Sequence, residues 1–266
     1  MHCRHNIMTT QEFIFDLPLY TKVKLSEGSF LDDFTTFKFR IDGYNSFRGA
    51  DSTFCLENKI DPLYIPNKGI LTLRFVCQRY QDSMSVMLYF DEDKDFIEKV
   101  GQYPSIADIH IAQVKQYKKV LGESYIRDFT KAIGLAANGI GTGSFVYLRR
   151  VFEHLVSEIA EEAIKEGKVN KEQFETSKMD NKLRLLSDYL PEVVMENKNL
   201  YGVLSAGIHT LSEEDCLNYF SIVREVIELI LDEREHVRLM NEKKKRAKEK
   251  LGVIAGEVKD TVNNSR

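Results

Sequence analysis

Tryptophan is absent, cysteine occurs four times and proline five times, and no apolar run approaches the ~20 residues a helix needs to span a bilayer. Each shortage excludes a class of protein. The cysteines Cys3, Cys55, Cys77 and Cys216 are scattered, with no C-x2-C pair, which speaks against a zinc fold and against a disulfide scaffold. Cys77 alternates with apolar neighbours and reads as a small core residue. The Cys3-Arg4-His5 cluster would hold a metal only if Cys55 or Cys77 folded onto it, so neither a metal nor a cofactor is expected. Basic residues number 37 against 41 acidic ones, a net charge of -4, so nothing draws nucleic acid globally and any such binding needs a local patch. Met1-His2-Cys3-Arg4-His5 lacks the apolar centre of a signal peptide, and Met8-Thr9-Thr10-Gln11 reads as an alternative start. A cytoplasmic protein with no membrane contact is the expectation.

What is present divides the chain in two. Its 266 residues suffice for one large domain or two small ones, and the rings of 16 Phe and 12 Tyr fall mostly in the first half. Residues 9 to about 100 read as β structure. Leu19, Thr21, Val23 and Leu25 alternate with polar residues, then Phe37, Phe39 and Ile41, followed by Asp42-Gly43 as a hairpin signal. Leu71, Leu73, Phe75 and Cys77 share a face with Met84, Val86, Leu88 and Phe90 across a turn at Arg79-Tyr80-Gln81-Asp82. Asn67-Lys68-Gly69 and Asp61-Pro62 read as further turns.

From Ile106 the period becomes helical. Helices are predicted over 109–121, 123–138, 144–166, about 179–190 and 198–207. Ser212 then caps a long helix, with Asp215 as its capping-box partner and a broad apolar face from Cys216 to Leu231. The run 243–250 extends it as a solvated charged helix. The predicted fold is α+β: an N-terminal antiparallel β-sheet domain (1–105), an all-α bundle with a long C-terminal helix (106–240), and a charged helical extension with a frayed tail (241–266).

Two motifs dissolve on inspection. Asp91-Glu92-Asp93-Lys94-Asp95 opens like a calcium loop, but Phe96 stands where glycine is needed and Gln102 where Glu should close it; a solvated acidic turn is expected. Gly139-x-Gly141-x-Gly143 follows a helix rather than a strand and precedes no Gly-Lys-Ser/Thr, so it is neither a dinucleotide fingerprint nor a P-loop. It remains a helix start whose amides suit an anion, with Gly141, Gly143, Ser144, Arg149 and Arg150 as candidate contacts. The competing reading is preferred: Gly139 as a left-handed helix cap, the others permitting close packing. Arg149 and Glu153 share a helix face, as do Arg150 and His154, and a structural ion pair is expected there.

The helical half resembles the HEPN-type bundles of bacterial conflict systems, and more closely the HEPN-related domains encoded near restriction and abortive-infection genes. The resemblance covers about 130–235. It is carried by Gly141-Thr142-Gly143-Ser144-Phe145-Val146-Tyr147-Leu148-Arg149-Arg150-Val151-Phe152-Glu153 and by Ala206-Gly207-Ile208-His209 before the last helix. HEPN ribonucleases place an Arg shortly before the catalytic His, whereas Gly202, Val203 and Leu204 precede His209 here. The resemblance therefore implies a non-catalytic interaction or ligand-sensing protein of an anti-phage defence context, working as a homodimer or with a protein partner through the bundle. One alternative is a metal-independent endoribonuclease in which His209 is the general acid/base, Arg149 or Arg150 the phosphate-binding cation, and Glu153 their neighbour. The other is a nucleotide or small-anion sensor at the glycine-rich helix start.

Overall fold

The computed structural model describes residues 8–264 except 28–29, 59, 62–66 and 197–198, and side chains as far as residue 255 except that of residue 27. The Cys3-Arg4-His5 cluster and Pro62 of the predicted Asp61-Pro62 turn lie outside the described residues. Thr9 opens the first helix, α1 (Thr10–Phe15), with a reciprocal cap. Its hydroxyl accepts from the Glu12 amide, and the Glu12 carboxylate accepts from the Thr9 amide. β1 (Lys22–Val23), α2 (Phe30–Thr35), β2 (Arg40–Asn45), β3 (Ala50–Leu56), β4 (Lys68–Cys77), β5 (Ser83–Asp91) and β6 (Phe96–Tyr103) follow. The strands form one antiparallel sheet in the order β1-β6-β5-β4-β3-β2.

Period-2 alternation builds the centre of this sheet as predicted. Leu73 faces Val86 and Phe75 faces Met84 across β4 and β5, all four at most 2% exposed. Burying each such side chain is worth about 1.5–3 kcal/mol. The Phe13, Phe30 and Phe34 rings of α1 and α2 join the same core, so one sheet face is covered by two short helices.

Those helices correct the reading of 9–100 as β throughout. Phe13-Ile14-Phe15 is a contiguous apolar run, which a strand and a helix share, and the Thr9–Glu12 cap decides for the helix. The alternation over 19–25 yields only the two-residue β1, because Tyr20 takes a left-handed φ of 62° and Leu25–Glu27 winds into a 3-10 turn. Asp42-Gly43 is no hairpin turn either. Gly43 pairs with Ser52 in mid-strand, and a Cβ there would meet the Phe15 ring, 2.5 Å from its Cε1. The chain reverses later, at 46–49, where Gly49 carries φ 68° and its amide donates to the Asn45 carbonyl at 2.8 Å. Likewise Lys68 and Gly69 begin β4 rather than turning. The 79–82 turn forms as expected, with the Cys77 amide donating to the Asp82 carbonyl at 2.8 Å.

The helical half is α3 (Ile106–Val114), α4 (Lys118–Ala137), α5 (Gly141–Lys165), α6 (Lys171–Thr176), α7 (Met179–Leu185), α8 (Glu192–Glu196), α9 (Leu200–His209) and α10 (Glu213–Asn264). The first helix starts earlier than predicted because Ser105 and Asp108 form a capping box. Gly122, at φ 71° and ψ 171°, kinks α4 where the separate helices 109–121 and 123–138 were expected to meet. α5 runs through the centre of the bundle, with Phe145, Leu148, Val151, Phe152 and Leu155 wholly buried. Ser212 caps α10 reciprocally with Asp215, as predicted. Among the described residues no helix is long and apolar enough to cross a membrane.

Candidate functional site

The glycine-rich connection resolves residue by residue. Gly139 sits at φ 78°, its amide donating to the Ala136 carbonyl at 2.9 Å, while the Ile140 amide donates to the Leu135 carbonyl at 2.9 Å. This pair of bonds is the Schellman end of α4. The amides of Gly141 and Thr142, freed at the start of α5, both donate to Oε2 of Glu213, the latter at 2.9 Å. A helix N-terminus does hold an anion here, and the anion is a carboxylate of the chain itself. Gly141 is required by that approach: a Cβ would lie 2.8 Å from Cys216 Cβ and closer still to the Glu213 carbonyl oxygen.

The predicted external-anion site is thereby corrected. The Gly141 amide is spent on Glu213, Gly143 packs beside Ile140, and the buried Ser144 hydroxyl donates to the Gly141 carbonyl at 2.6 Å. Arg149 and Arg150, two turns further along, aim elsewhere. Replacing Glu213 with alanine strands two amides and removes a clamp between α5 and α10. It is expected to lower unfolding free energy by about 1–2 kcal/mol, the scale of an N-cap loss, as read by urea denaturation.

Arg149, Glu153 and Tyr201 form a closed triangle. The Arg149 Nε donates to Glu153 Oε1 at 2.8 Å, its Nη2 to the Tyr201 hydroxyl at 2.8 Å, and that hydroxyl donates to Glu153 Oε1 at 3.0 Å. The Arg149–Glu153 ion pair expected at i, i+4 is present. The Glu153 partner raises the Arg149 pKa, and burial raises that of Tyr201. Arg150 and His154, predicted to share a face, take different partners. Arg150 Nη2 approaches Asp128 Oδ2 of α4 at 3.1 Å, a charge contact whose angles miss a hydrogen bond. His154 stacks on Tyr125 with centroids 3.5 Å apart and faces Glu158 at 3.4 Å, and burial lowers its pKa.

His209 is not brought to these arginines within the chain. It ends α9, exposed to solvent. α9 runs antiparallel to α5, since Tyr201 meets Arg149 while Gly207 lies against Phe145. His209 is eight residues beyond Tyr201, about 12 Å along the helix axis. The ribonuclease pairing of His209 with Arg149 or Arg150 is therefore not assembled in one copy, because the Arg149 guanidinium is held at the opposite end of α9.

A different constellation, which the sequence reading missed, lines the junction of sheet and bundle. A cavity of about 420 Å³ lies there, with a floor of Ile106, Ile133, Ala136 and Phe220 and a polar rim of Asp16, His110, Gln113, Arg224 and Glu228. Arg224 is fixed by Glu228 at 2.7 Å and by Gln113 at 3.1 Å. His110 Nε2 lies 3.9 Å from Asp16 Oδ1. Burial pushes the His110 pKa down to about 3, helped by the positive charges of Arg224 and Lys99. Asp16 is raised by desolvation on its cleft side, against the pull of Lys99 and Arg224; its side chain is 66% exposed to water, which limits the effect. Below the rim Lys99 is wholly buried, donating to the carbonyls of Phe13 at 3.1 Å and Ile14 at 2.7 Å. Two signals pointed to this site. Lys99 occupies the same inward phase of β6 as Ile97, and Arg224 with Glu228 is an i, i+4 pair beside the apolar inner face of α10.

Among the described residues no group of His, Cys, Asp or Glu has the arrangement of a metal site. The predicted acidic turn at 91–95 closes on itself, Asp91 capping the Lys94 amide at 3.2 Å. Cys77 is a buried core residue, as expected. No family model, curated protein or solved structure matches this chain.

Proposed function

We propose that this chain is a non-catalytic ligand-sensing protein whose binding site is the cleft between the sheet and the helical bundle. One observation carries the reading: fixed polar groups converge there over an apolar floor, at the junction of two separately cored halves. The volume suits a small amphipathic molecule, its apolar body on Ile133, Ala136 and Phe220 and its polar end on Asp16, Gln113 and Arg224. The rim is built to bind rather than to transfer protons. An imidazole with a pKa of about 3 is a poor proton carrier near neutrality, where an efficient general base needs a pKa close to the working pH. Arg149, Arg150 and Glu153 are each engaged by a neighbouring helix, which supports a structural role for them. The HEPN-like resemblance adds the setting, an interaction module of bacterial defence.

Native mass spectrometry of gently purified protein, followed by thermal-shift screening, tests the cleft. Retained or added ligand is expected to be lost in Ala136→Phe, which fills the floor, and in Arg224→Ala, and to be kept in Arg150→Ala. Binding indifferent to both cleft variants sinks the cleft reading. Cleavage of labelled RNA that disappears in His209→Ala sinks the non-catalytic one.

A further inference from the structure

α10 buries one face in the bundle as far as Leu231 and then continues as helix to Asn264. A second apolar stripe runs along its outer side at steps of three or four residues. On the bundle half it comprises Tyr219, Ile222, Val226 and Leu229. On the projecting half it comprises Val237, Met240, Ala247, Leu251 and Ile254. The large side chains of this stripe, half-buried Val226 apart, are 40–66% exposed and lie in one continuous row, unlike singly scattered surface apolar residues. Only two positions of the stripe carry charge, Glu233 and Lys244.

The stripe is self-complementary when reversed. We infer that two copies of the chain associate through α10, the projecting half of each lying antiparallel on the outer face of the other, with the two-fold axis between Val237 and Met240. In that register Val237 of one copy faces Met240 of the second. Leu229 faces Ala247, Val226 faces Leu251 and Ile222 faces Ile254. Glu233 faces Lys244, twice by symmetry, so the only charges on the stripe neutralise each other. A parallel pair stacks Lys244 on Lys244 and the basic run 243–250 on itself, which opposes it. The contact from Ile222 to Ile254 is about 48 Å of helix, and an isologous two-fold pairing of this kind closes on itself. A second copy is the occupant because the pattern is its own complement in length, spacing and charge. This interface lies apart from the cleft and does not depend on what binds there.

Light scattering on the full chain is expected to give a dimer at tens of micromolar. In a Cys3→Ser/Cys55→Ser background, oxidation of Glu233→Cys/Lys244→Cys is expected to give a covalent dimer, while Lys244→Cys alone stays uncross-linked. Glu233→Lys is expected to weaken dimerisation at least about tenfold, and Glu233→Lys/Lys244→Glu to restore it. Ile222→Glu and Leu251→Glu, both at exposed positions, are expected to give monomers with unchanged helical circular dichroism. A monomeric full chain, cross-linking by Lys244→Cys alone, or a dimer indifferent to Ile222→Glu and Leu251→Glu each overturns the inference.

Discussion

Gly207→Ala is expected to lower the unfolding free energy by about 2 kcal/mol or more, although alanine is the better helix former by about 1 kcal/mol. Gly207 is buried in α9, and a Cβ there would enter the Phe145 ring, 2.7 Å from Cγ and 2.8 Å from Cε1. Phe145 is 0% exposed in the middle of the bundle core, so the ring has nowhere to retreat. Overpacking of a filled core costs about 1–3 kcal/mol, and an overlap with ring atoms belongs at the top of that range. Gly202 provides the control. It lies in the same helix, and a Cβ there meets nothing within 4 Å, so Gly202→Ala should gain up to about 1 kcal/mol from propensity alone. Urea denaturation of the two variants separates the effects by sign, and Phe145→Leu should rescue part of the Gly207→Ala loss. Equal and small changes at both positions would show that α9 does not seat on α5 through Gly207.

The residues that made the fold legible are those whose period belongs to one element type. Leu73, Phe75, Met84 and Val86 alternate cleanly and fell into register on one buried face. Cys216, Val223, Ile227 and Ile230 kept a helical spacing and became the inner face of α10. Phe13-Ile14-Phe15 has no period of its own, and the Thr9 cap that makes it helical lies in the Met8-Thr9-Thr10-Gln11 stretch that reads only as an alternative start. Asp42-Gly43 misled because a glycine admits two explanations, a positive φ or an intruding neighbour. Here the neighbour is Phe15, 28 residues earlier, invisible to any local rule.

The same non-locality governed the site. The glycine-rich start of α5 was correctly read as a place for an anion, and the preference for packing was also correct, but the anion itself is Glu213, from a helix that begins 72 residues after Gly141. Arg149 and Glu153 announced their pairing by i, i+4 spacing, while Tyr201, which closes their triangle, did not. The cleft groups come from the end of α1, from β6, α3 and α10, and only the folded chain brings Asp16, Lys99, His110 and Arg224 together. Lysine and arginine on otherwise apolar phases were the available clue, because a charge is placed there only when something buried answers it.

Lys99 is the clearest such charge, and its burial predicts a pH-dependent stability. Desolvation drives its pKa down to about 7 from the ordinary 10.5, opposed by Asp16, even though the ammonium caps the last carbonyls of α1. Between these values the unfolded chain holds a proton that the folded chain has released. Stability therefore rises with pH across that window, by at most about 1.4 kcal/mol per pH unit. Below pH 7 both states carry the proton, and the full cost of burying the ammonium is present. His110 acts with the same sign in acid: its folded pKa of about 3 lies under the ordinary 6.5, so stability falls as pH drops through that lower range. Lys99→Met keeps the buried stem and removes the proton site. Urea unfolding from about pH 7 to about pH 9 should show the wild type gaining on the variant by a few kcal/mol, with no comparable gain for a surface control such as Lys131→Met. Parallel curves for wild type and Lys99→Met would mean that Lys99 stays charged in the fold, held by the Phe13 and Ile14 carbonyls and Asp16 strongly enough to cancel its desolvation. The α1 end that Lys99 caps carries Asp16 into the cleft, so its loss should also weaken ligand binding there without touching Arg224.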